Sequence, residues 1–247
     1  MNTKAFALIF GLNFLLIACS HEKPDSKIDD TKKNKEIEII AEPIELEISL
    51  ISQGLVNIQS LDSTLKVDLK YSSTDNFFKQ DVYGSLTRAY LQQKPAESLI
   101  KANSMLKSIN KEYRLLIFDA VRPLHIQEVL WNSLDSIPPK IRKSFVSDPT
   151  DGSLHNYGCA VDLTIFDNAK NEQLDMGTEF DYFGNLAYPR LETEMLNQGK
   201  LTEVQLNNRL LLRKVMIQNG FQPISSEWWH FNYYSRITAK KLHKIIE

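Results

Sequence analysis

The chain has 247 residues, of which 43% are hydrophobic and 24% charged, an ordinary globular composition with enough material for one sizeable core. Its formal net charge of -2 gives no basic field for a nucleic-acid backbone, which excludes nucleic acid as an expected partner. The two cysteines, Cys19 and Cys159, are too few for a disulfide framework.

The first residues are typical of an export signal. Lys4 supplies positive charge, and residues 5–17 form an uncharged, mostly apolar run that is too short to cross a bilayer comfortably. The run ends in the sequence LIAC at 16–19, which resembles the lipobox of bacterial lipoproteins, where the signal is cut before a cysteine that becomes lipidated. We predict a signal peptide over 1–18 and a lipid on Cys19. An ordinary secretory signal or an uncleaved anchor is the alternative.

A polar segment follows the signal. Residues 20–36 mix both charge signs and hold almost nothing apolar, as a solvated tether does. From 37 to 50, glutamates alternate with isoleucine and leucine around Pro43, which predicts an edge strand or an extended linker. We therefore assign 19–54 to a lipidated tether and linker, and expect the folded domain over 55–247.

The folded domain alternates strand-like and helix-like patterns. The patterns predict strands over 65–71, 114–118 and from 158 onward, and helices from Pro95, over 124–134, after Thr202 and over 238–246. Thr202 and Gln205 form a capping box, and Asn219-Gly220 ends the helix that it begins.

The stretch SLHNYGCAVD, residues 153–162, places His155 and Asp162 seven positions apart across the start of a strand built from small residues. Alternation puts Gly158, Ala160 and Asp162 on one strand face, and the first two would leave the metal-facing side free of bulk. Cys159 then points the other way, which indicates a packed, inert thiol.

A second acidic and imidazole pair, Glu227 and His230, lies near the C-terminus. Structural zinc is usually closed by four protein ligands, whereas two histidines and an aspartate leave one position for a water, whose pKa the metal lowers to roughly 7. His155, Asp162 and His230 therefore predict an open zinc site, and Glu227 would accept that water's proton. Because residues three apart face opposite sides of a strand, a bend must bring both Glu227 and His230 to the metal.

Two further charged residues fit such a site but also have ordinary explanations. Arg122 follows the strand 114–118, where it could stabilise the oxyanion of a tetrahedral intermediate or pair with Asp119, and the spacing favours neither. Asp181 lies in an acidic, aromatic loop and is a candidate for holding a substrate ammonium group. A solvated turn aspartate is an equally good reading of the same residue.

Five ordered blocks together resemble the zinc D-Ala-D-Ala dipeptidases of the vancomycin-resistance type, within the peptidase group that includes D,D-carboxypeptidases. The resemblance covers roughly 55–245. Its blocks are Ser153-x-His155-x-x-Gly158-x-Ala160-x-Asp162, Glu227-x-Trp229-His230, Ala120-Val121-Arg122-Pro123, Tyr71-x-x-Thr74-Asp75-Asn76-Phe77 and Met176-Gly177-Thr178-x-Phe180-Asp181.

The resemblance implies a catalytic α+β domain with a central, mainly antiparallel sheet flanked by helices and one Zn²⁺ in a cleft on the sheet. The site residues that it implies are His155, Asp162 and His230 as zinc ligands, Glu227 as base, Arg122 as transition-state stabiliser, and Asp181 with Ser153 in the dipeptide site. The implied substrate is D-Ala-D-Ala, whose stereochemistry rests on the resemblance alone. An exported copy, anchored by lipid to a bacterial membrane and facing the periplasm or cell exterior, would meet wall-derived peptides.

Two other functions stay open at this point. A D,D- or L,D-carboxypeptidase that trims peptidoglycan stems would use the same metal in an open cleft without an ammonium clamp. A non-catalytic wall-binding lipoprotein would keep the fold, but it would need neither a base at Glu227 nor an oxyanion partner at Arg122.

Overall fold

The computed structural model describes residues 44–247. The predicted signal peptide, the lipidation site Cys19 and the tether as far as residue 43 therefore lie outside the described residues. Within 44–247, no helix is both long enough and apolar enough to cross a membrane.

Helices and strands alternate irregularly along the described residues. The helices are α1 Glu45–Ser52, α2 Ile58–Leu61, α3 Gln93–Ile109, α4 Leu124–Asn132, α5 Pro139–Arg142, α6 Glu192–Asn197, α7 Glu203–Gln218 and α8 Arg236–Leu242. The strands are β1 Val56–Asn57, β2 Lys66–Val67, β3 Tyr90–Leu91, β4 Tyr113–Asp119, β5 Ala160–Asp167, β6 Glu172–Gln173, β7 Gln222–Pro223 and β8 His230–Asn232.

The main sheet has the strand order β2-β4-β5-β8-β7, with β6 paired to β5. Only β2 and β4 run parallel in this sheet of the described chain, and its other pairs are antiparallel. Both β4 and β5 are buried over most of their length, since α3 packs on β4 and α7 packs on β5. The predicted α+β class with a mainly antiparallel sheet is confirmed.

The register of the three central strands brings polar residues together at one end of the sheet. Asp119, the last residue of β4, pairs with Asp162 of β5 after an irregularity that follows Ile117. Asp162 in turn pairs with His230, the first residue of β8. The centre of the sheet thus carries a row of three polar residues on adjacent strands.

The strand prediction for 37–50 is wrong where the structure describes it, because residues 45–52 form α1. Glu45 and Glu47 lie in its first turn, where carboxylates interact favourably with the helix dipole. The spacing of Leu46 and Leu50 suits one helical face, and Leu50 is fully buried. Arg88 donates to the buried Glu47 carboxylate, with Nε 2.6 Å from Oε1. The packed part of the chain therefore begins before the predicted boundary at Leu55.

Two other predicted elements are shorter than expected. The strand predicted over 65–71 is reduced to β2, since residues 70–72 turn into a 3-10 helix. The last helix ends at Leu242 rather than at Ile246, because the backbone of Ile246 pairs with two other segments. Its N–H donates to Asn156 O and its carbonyl accepts from Leu124 N, both at 2.8 Å.

Candidate metal centre

A 3-10 turn over Leu154–Tyr157 presents His155. The Ser153 hydroxyl caps this turn by accepting from His155 N at 3.3 Å. The His155 ring is buried, and its Nδ1 lies 2.6 Å from the carbonyl oxygen of Ala120. Because a carbonyl can only accept, Nδ1 carries the ring proton and Nε2 keeps a free electron pair.

Strand β8 presents His230 in the opposite tautomer. Its Nε2 lies 2.8 Å from Asn232 Oδ1, and residues two apart on a strand share a face. The Asn232 oxygen accepts the Nε2 proton, so Nδ1 of His230 is the nitrogen available to a metal ion or, without one, to a proton shared with Asp162. Asn232 was missed in the sequence, although its position two residues after a candidate ligand on a strand was a usable signal.

Three electron pairs converge between these rings and Asp162. His155 Nε2 lies 3.2 Å from His230 Nδ1 and 3.4 Å from Asp162 Oδ2, and His230 Nδ1 lies 2.9 Å from Asp162 Oδ1. Two ring nitrogens without protons repel each other at this distance unless a cation lies between them. The donor set of two imidazoles and one carboxylate therefore fits zinc, and all three ligand atoms lie within 4.8 Å of one another.

The electrostatics of the group follow from its burial and its pairing. Burial alone would raise the pKa of Asp162, but the two imidazoles outweigh it and hold that pKa far below its usual range. Burial lowers the pKa of His230, yet the hydrogen bond to Asp162 prevails and raises that pKa to about 9. A proton and a metal ion thus compete for the same electron pairs, as is usual for imidazole ligands.

Glu227 lies beside this group without belonging to it. The chain between β7 and β8 is irregular and bends so that Glu227 Oε2 lies 3.9 Å from His230 Nδ1, as the three-residue spacing required. Burial raises the pKa of Glu227, with the Asp162 charge adding to the rise and His230 opposing it. A carboxylate with a raised pKa next to the metal ligands is suited to accept a proton near neutral pH.

Arg122 pairs with Asp119 and also faces the metal ligands, so both interpretations that the sequence left open apply. It pairs with Asp119, with Nε 2.9 Å and Nη2 2.5 Å from Oδ2, and its Nη1 donates to Gln127 Oε1 at 2.9 Å. The same Nη2 lies 3.8 Å from Asp162 Oδ2, so the guanidinium also faces the metal group. Asp119 is fully buried and is anchored further by the Tyr83 hydroxyl at 2.7 Å. The salt bridge therefore fixes Arg122 in place next to the ligands.

Asp181 is held at another wall of the same cavity. Tyr71 donates its hydroxyl proton to Asp181 Oδ2 at 2.8 Å, and the backbone of Asp181 is left-handed with φ of 58°. Burial raises the pKa of Asp181 well above its ordinary value, and the Asp162 charge adds to this rise. A half-buried carboxylate of this kind gains from a cationic partner, such as a substrate ammonium group.

The cavity has a volume of about 420 Å³. Its walls bring together every site residue that the sequence predicted within 44–247, namely Arg122, Ser153, His155, Asp162, Asp181, Glu227 and His230. Tyr71 lines it as well, whereas Gln127 and Asp119 stand behind Arg122. Gln127 and the carbonyl of Ala120 were missed because no sequence pattern marks either of them as a hydrogen-bond partner of a site residue.

The role predicted for Gly158 is wrong. Gly158 ends the turn over 154–157 with φ of 62°, and β5 begins only at Ala160. A Cβ on Gly158 would lie 2.7 Å from Leu55 Cδ2, so the missing side chain makes room for the core rather than for a metal. Cys159 is fully buried, and burial raises the pKa of its thiol to about 12, in agreement with a packed, inert residue.

Comparison with known proteins gives one consistent family. The family model described as D-ala-D-ala dipeptidase, Peptidase_M15, matches residues 51–246. A D-alanyl-D-alanine dipeptidase of Escherichia coli (strain K12) is 33% identical over 177 residues, which cover 72% of this chain and 83% of that protein. A D-alanyl-D-alanine dipeptidase of Enterococcus faecium is 29% identical over 191 residues, covering 72% of this chain and 90% of the relative.

Among solved structures, VanYB in complex with D-alanine-D-alanine is similar to this chain with a TM-score of 0.38 and 13% sequence identity. The alignment covers 62% of this chain and 77% of the other. A likeness of this size carries no argument about the site.

Proposed function

The chain belongs to the Peptidase_M15 family of D-Ala-D-Ala dipeptidases, and from that premise we propose that it hydrolyses D-alanyl-D-alanine in cell-wall peptide metabolism. One observation carries the proposal. Three metal-ligand atoms within 4.8 Å of one another share a single cavity with a carboxylate suited to accept a proton, a fixed guanidinium and a half-buried aspartate.

His155 Nε2, the Asp162 carboxylate and His230 Nδ1 would hold one Zn²⁺, which supplies Lewis acidity for a carbonyl and lowers the pKa of a water. Glu227 is the base of the reaction. Its carboxylate accepts the proton of the attacking water and later donates that proton to the leaving amine nitrogen. Because the pKa of Glu227 is raised by burial, the carboxyl can hold the proton between the two steps.

Arg122 stabilises the oxyanion that forms when water attacks the peptide carbonyl. Asp119 and Gln127 occupy one N–H on Nε, one on Nη1 and one on Nη2, and this leaves one N–H on each terminal nitrogen. The guanidinium is fixed before substrate binds, so little reorganisation is needed as negative charge develops.

Asp181 and Tyr71 select the free amino terminus of the substrate. The Asp181 carboxylate binds the ammonium group, and the Tyr71 hydroxyl holds the carboxylate in position at 2.8 Å. A peptide extended at its amino end has a neutral amide in place of that ammonium group and leaves the half-buried charge of Asp181 without a cationic partner. This cost disfavours peptides that are extended at the amino end, such as peptidoglycan stems, and favours the free dipeptide over them. Ser153, in the cavity wall, completes the dipeptide site.

The deciding experiment compares D-Ala-D-Ala with its N-acetylated form on the zinc-loaded protein. The proposal expects the free dipeptide to be preferred, and it expects Asp181→Asn to raise KM for the free dipeptide much more than for the blocked one. Preference for the blocked substrate would instead identify a carboxypeptidase of stem peptides. Absence of hydrolysis of both substrates with zinc bound would contradict the proposal.

We further infer that the enzyme is exported and carries a lipid on Cys19, so that it acts on wall-derived dipeptides outside the cytoplasm. The support is the sequence alone: the charged start, the apolar run over 5–17 and the small residue before Cys19. Expression of the full chain and of Cys19→Ser in bacteria, followed by membrane fractionation and metabolic lipid labelling, tests this. Equal labelling of the two proteins would contradict lipidation at Cys19.

A further inference from the structure

A buried arginine on α7 has no place in the reaction described above. The Arg209 side chain is fully buried, whereas arginine is almost never buried without a specific partner. It is not part of the wall of the metal cavity. Its position therefore calls for a structural or functional reason of another kind.

The contacts of Arg209 lead to the loop that carries Asp181. Its Nε donates to the carbonyl of Met176 at 2.6 Å, and its Nη1 donates to the carbonyl of Leu186 at 3.0 Å. These two carbonyls lie five residues before and five residues after Asp181. One guanidinium thus ties together both ends of the loop over 177–185.

Other residues of α7 hold only the first end of this loop. Gln205 Nε2 donates to Asp175 Oδ2 and Asn208 Nδ2 donates to Asp175 O, each at 2.8 Å. Among the described residues of α7, Arg209 is the one whose hydrogen bonds reach the far end at Leu186. It links the two ends directly, which the amide side chains do not.

The ion pairing of Arg209 is weak for a buried charge. Its Nη1 lies 3.6 Å from Glu192 Oε1, but that oxygen is closer to Arg213 Nη2, at 2.7 Å. Its Nη2 has no hydrogen-bond partner among the described residues. Burying an incompletely paired charge costs stability, so a chain selected for stability alone would favour an apolar residue at this position.

The loop that Arg209 closes is itself held in a restricted conformation. Asp181 has a left-handed backbone, which is uncommon for a residue other than glycine. It also lines the cavity whose wall contains the carboxylates of Asp162 and Glu227. Neither feature is favourable for a free loop. The surrounding structure has to enforce both.

We propose that Arg209 is a positioning residue, which ties Met176 to Leu186 so that the Asp181 carboxylate faces the substrate ammonium group. The proposal rests on the ammonium-binding role proposed for Asp181. Arg209 contacts neither substrate nor metal, and it acts on binding rather than on the bond-breaking step. It therefore affects the affinity for a free amino terminus.

The test uses Arg209→Met, which keeps much of the side-chain volume and removes every donor. The matched control is Arg213→Met, which removes the other partner of Glu192 and touches no loop carbonyl. For zinc-loaded proteins, we expect Arg209→Met to raise KM for D-Ala-D-Ala about tenfold with kcat nearly unchanged, as for one weakened contact to a charged group. Arg213→Met should leave KM within about twofold of the parent value.

A double variant shows whether the effect passes through Asp181. In an Asp181→Asn background, Arg209→Met should change KM by less than about twofold, because coupled residues are not additive. The same tenfold rise in both backgrounds, or no rise in the parent, overturns the proposal. Failure of the dipeptidase assignment is a separate result, since it is seen as a preference of the parent enzyme for the N-acetylated substrate.

Hydrogen exchange and a milder variant show whether a rise in KM comes from the loop or from a general folding defect. Amides of 177–185 should exchange faster in Arg209→Met than in Arg213→Met, while those of β4 and β5 should be unchanged. If Arg209→Met does not fold, Arg209→Lys keeps the charge and can donate to one carbonyl. It should then raise KM about threefold through the loss of one neutral hydrogen bond. An unchanged KM in the lysine variant with faster loop exchange would contradict the link between loop position and binding.

Discussion

Asn232 Oδ1 accepts a hydrogen bond from Nε2 of His230 at 2.8 Å, and this contact directs the other ring nitrogen toward Asp162 and His155. Removing it frees the ring to rotate and to place its proton on either nitrogen. We expect Asn232→Ala to weaken zinc affinity by about 10- to 100-fold, the usual cost of losing a partner behind a metal ligand. Competition with a chromophoric chelator measures it. Tyr233→Phe is the control, and equal affinities would show that Asn232 does not orient the ring.

The Glu227→Gln variant should still bind zinc but should lose most of its catalytic activity. The amide fills the same space beside His230 but cannot accept the proton of the attacking water. We expect kcat to fall by about 10²- to 10⁴-fold, the range for a positioned general base, with zinc content close to one per chain. Metal analysis and turnover measured on the same preparation check this. Substantial turnover at full zinc content would remove Glu227 from its proposed role.

Arg122→Gln should lower kcat by about 10²- to 10³-fold, because the oxyanion loses its charged hydrogen-bond donor. The variant should also unfold at a lower temperature, since the fully buried Asp119 then loses its cationic partner. Tyr83→Phe separates the two effects, because it removes one bond to Asp119 at 2.7 Å and leaves the guanidinium in place. If Tyr83→Phe lowers kcat as much as Arg122→Gln does, positioning by Asp119 rather than direct stabilisation explains the loss.

The ionised Asp181 carboxylate should lower the stability of the enzyme without substrate. Burial raises the pKa of Asp181 above 3.8, so the folded chain binds this proton more tightly than the unfolded chain does. Its contribution to stability is present at low pH and is lost as the pH rises through the raised pKa. We expect Asp181→Asn to raise the melting temperature relative to the parent by an amount that grows from acidic to neutral pH, while KM rises. Thermal unfolding of the metal-free proteins across this pH range checks it. A difference that does not change with pH would contradict this account.

The metal group could be predicted from sequence because its residue types and spacing restrict the chemistry. His155 lies just before β5 and Asp162 lies near its start. Glu227 lies in the bend before β8, and His230 is the first residue of that strand. The pairing of β5 with β8 places Asp162 beside His230, and the carbonyl of Ala120, which follows β4, holds the His155 ring next to them. No local pattern encodes that register.

The other differences between prediction and structure arise from contacts between residues that are far apart in the chain. Alternating glutamates and aliphatic residues over 45–52 fit a strand as well as a helix, and burial of Leu50 and Glu47 decides for the helix. Gly158 is required by Leu55, more than 100 residues earlier in the chain. Arg209 gave no signal because an arginine on an amphipathic helix is expected to be solvated. Its two acceptor carbonyls are visible only after folding.

The pairing of β8 with β5 makes the metal site depend on a strand that is synthesised later than the sheet it joins. His230 follows Asp162 by 68 residues, and it reaches Asp162 only when β8 has joined a sheet whose middle strands were made earlier. A nascent chain that has not yet reached Glu227 therefore has neither the base nor the third metal ligand.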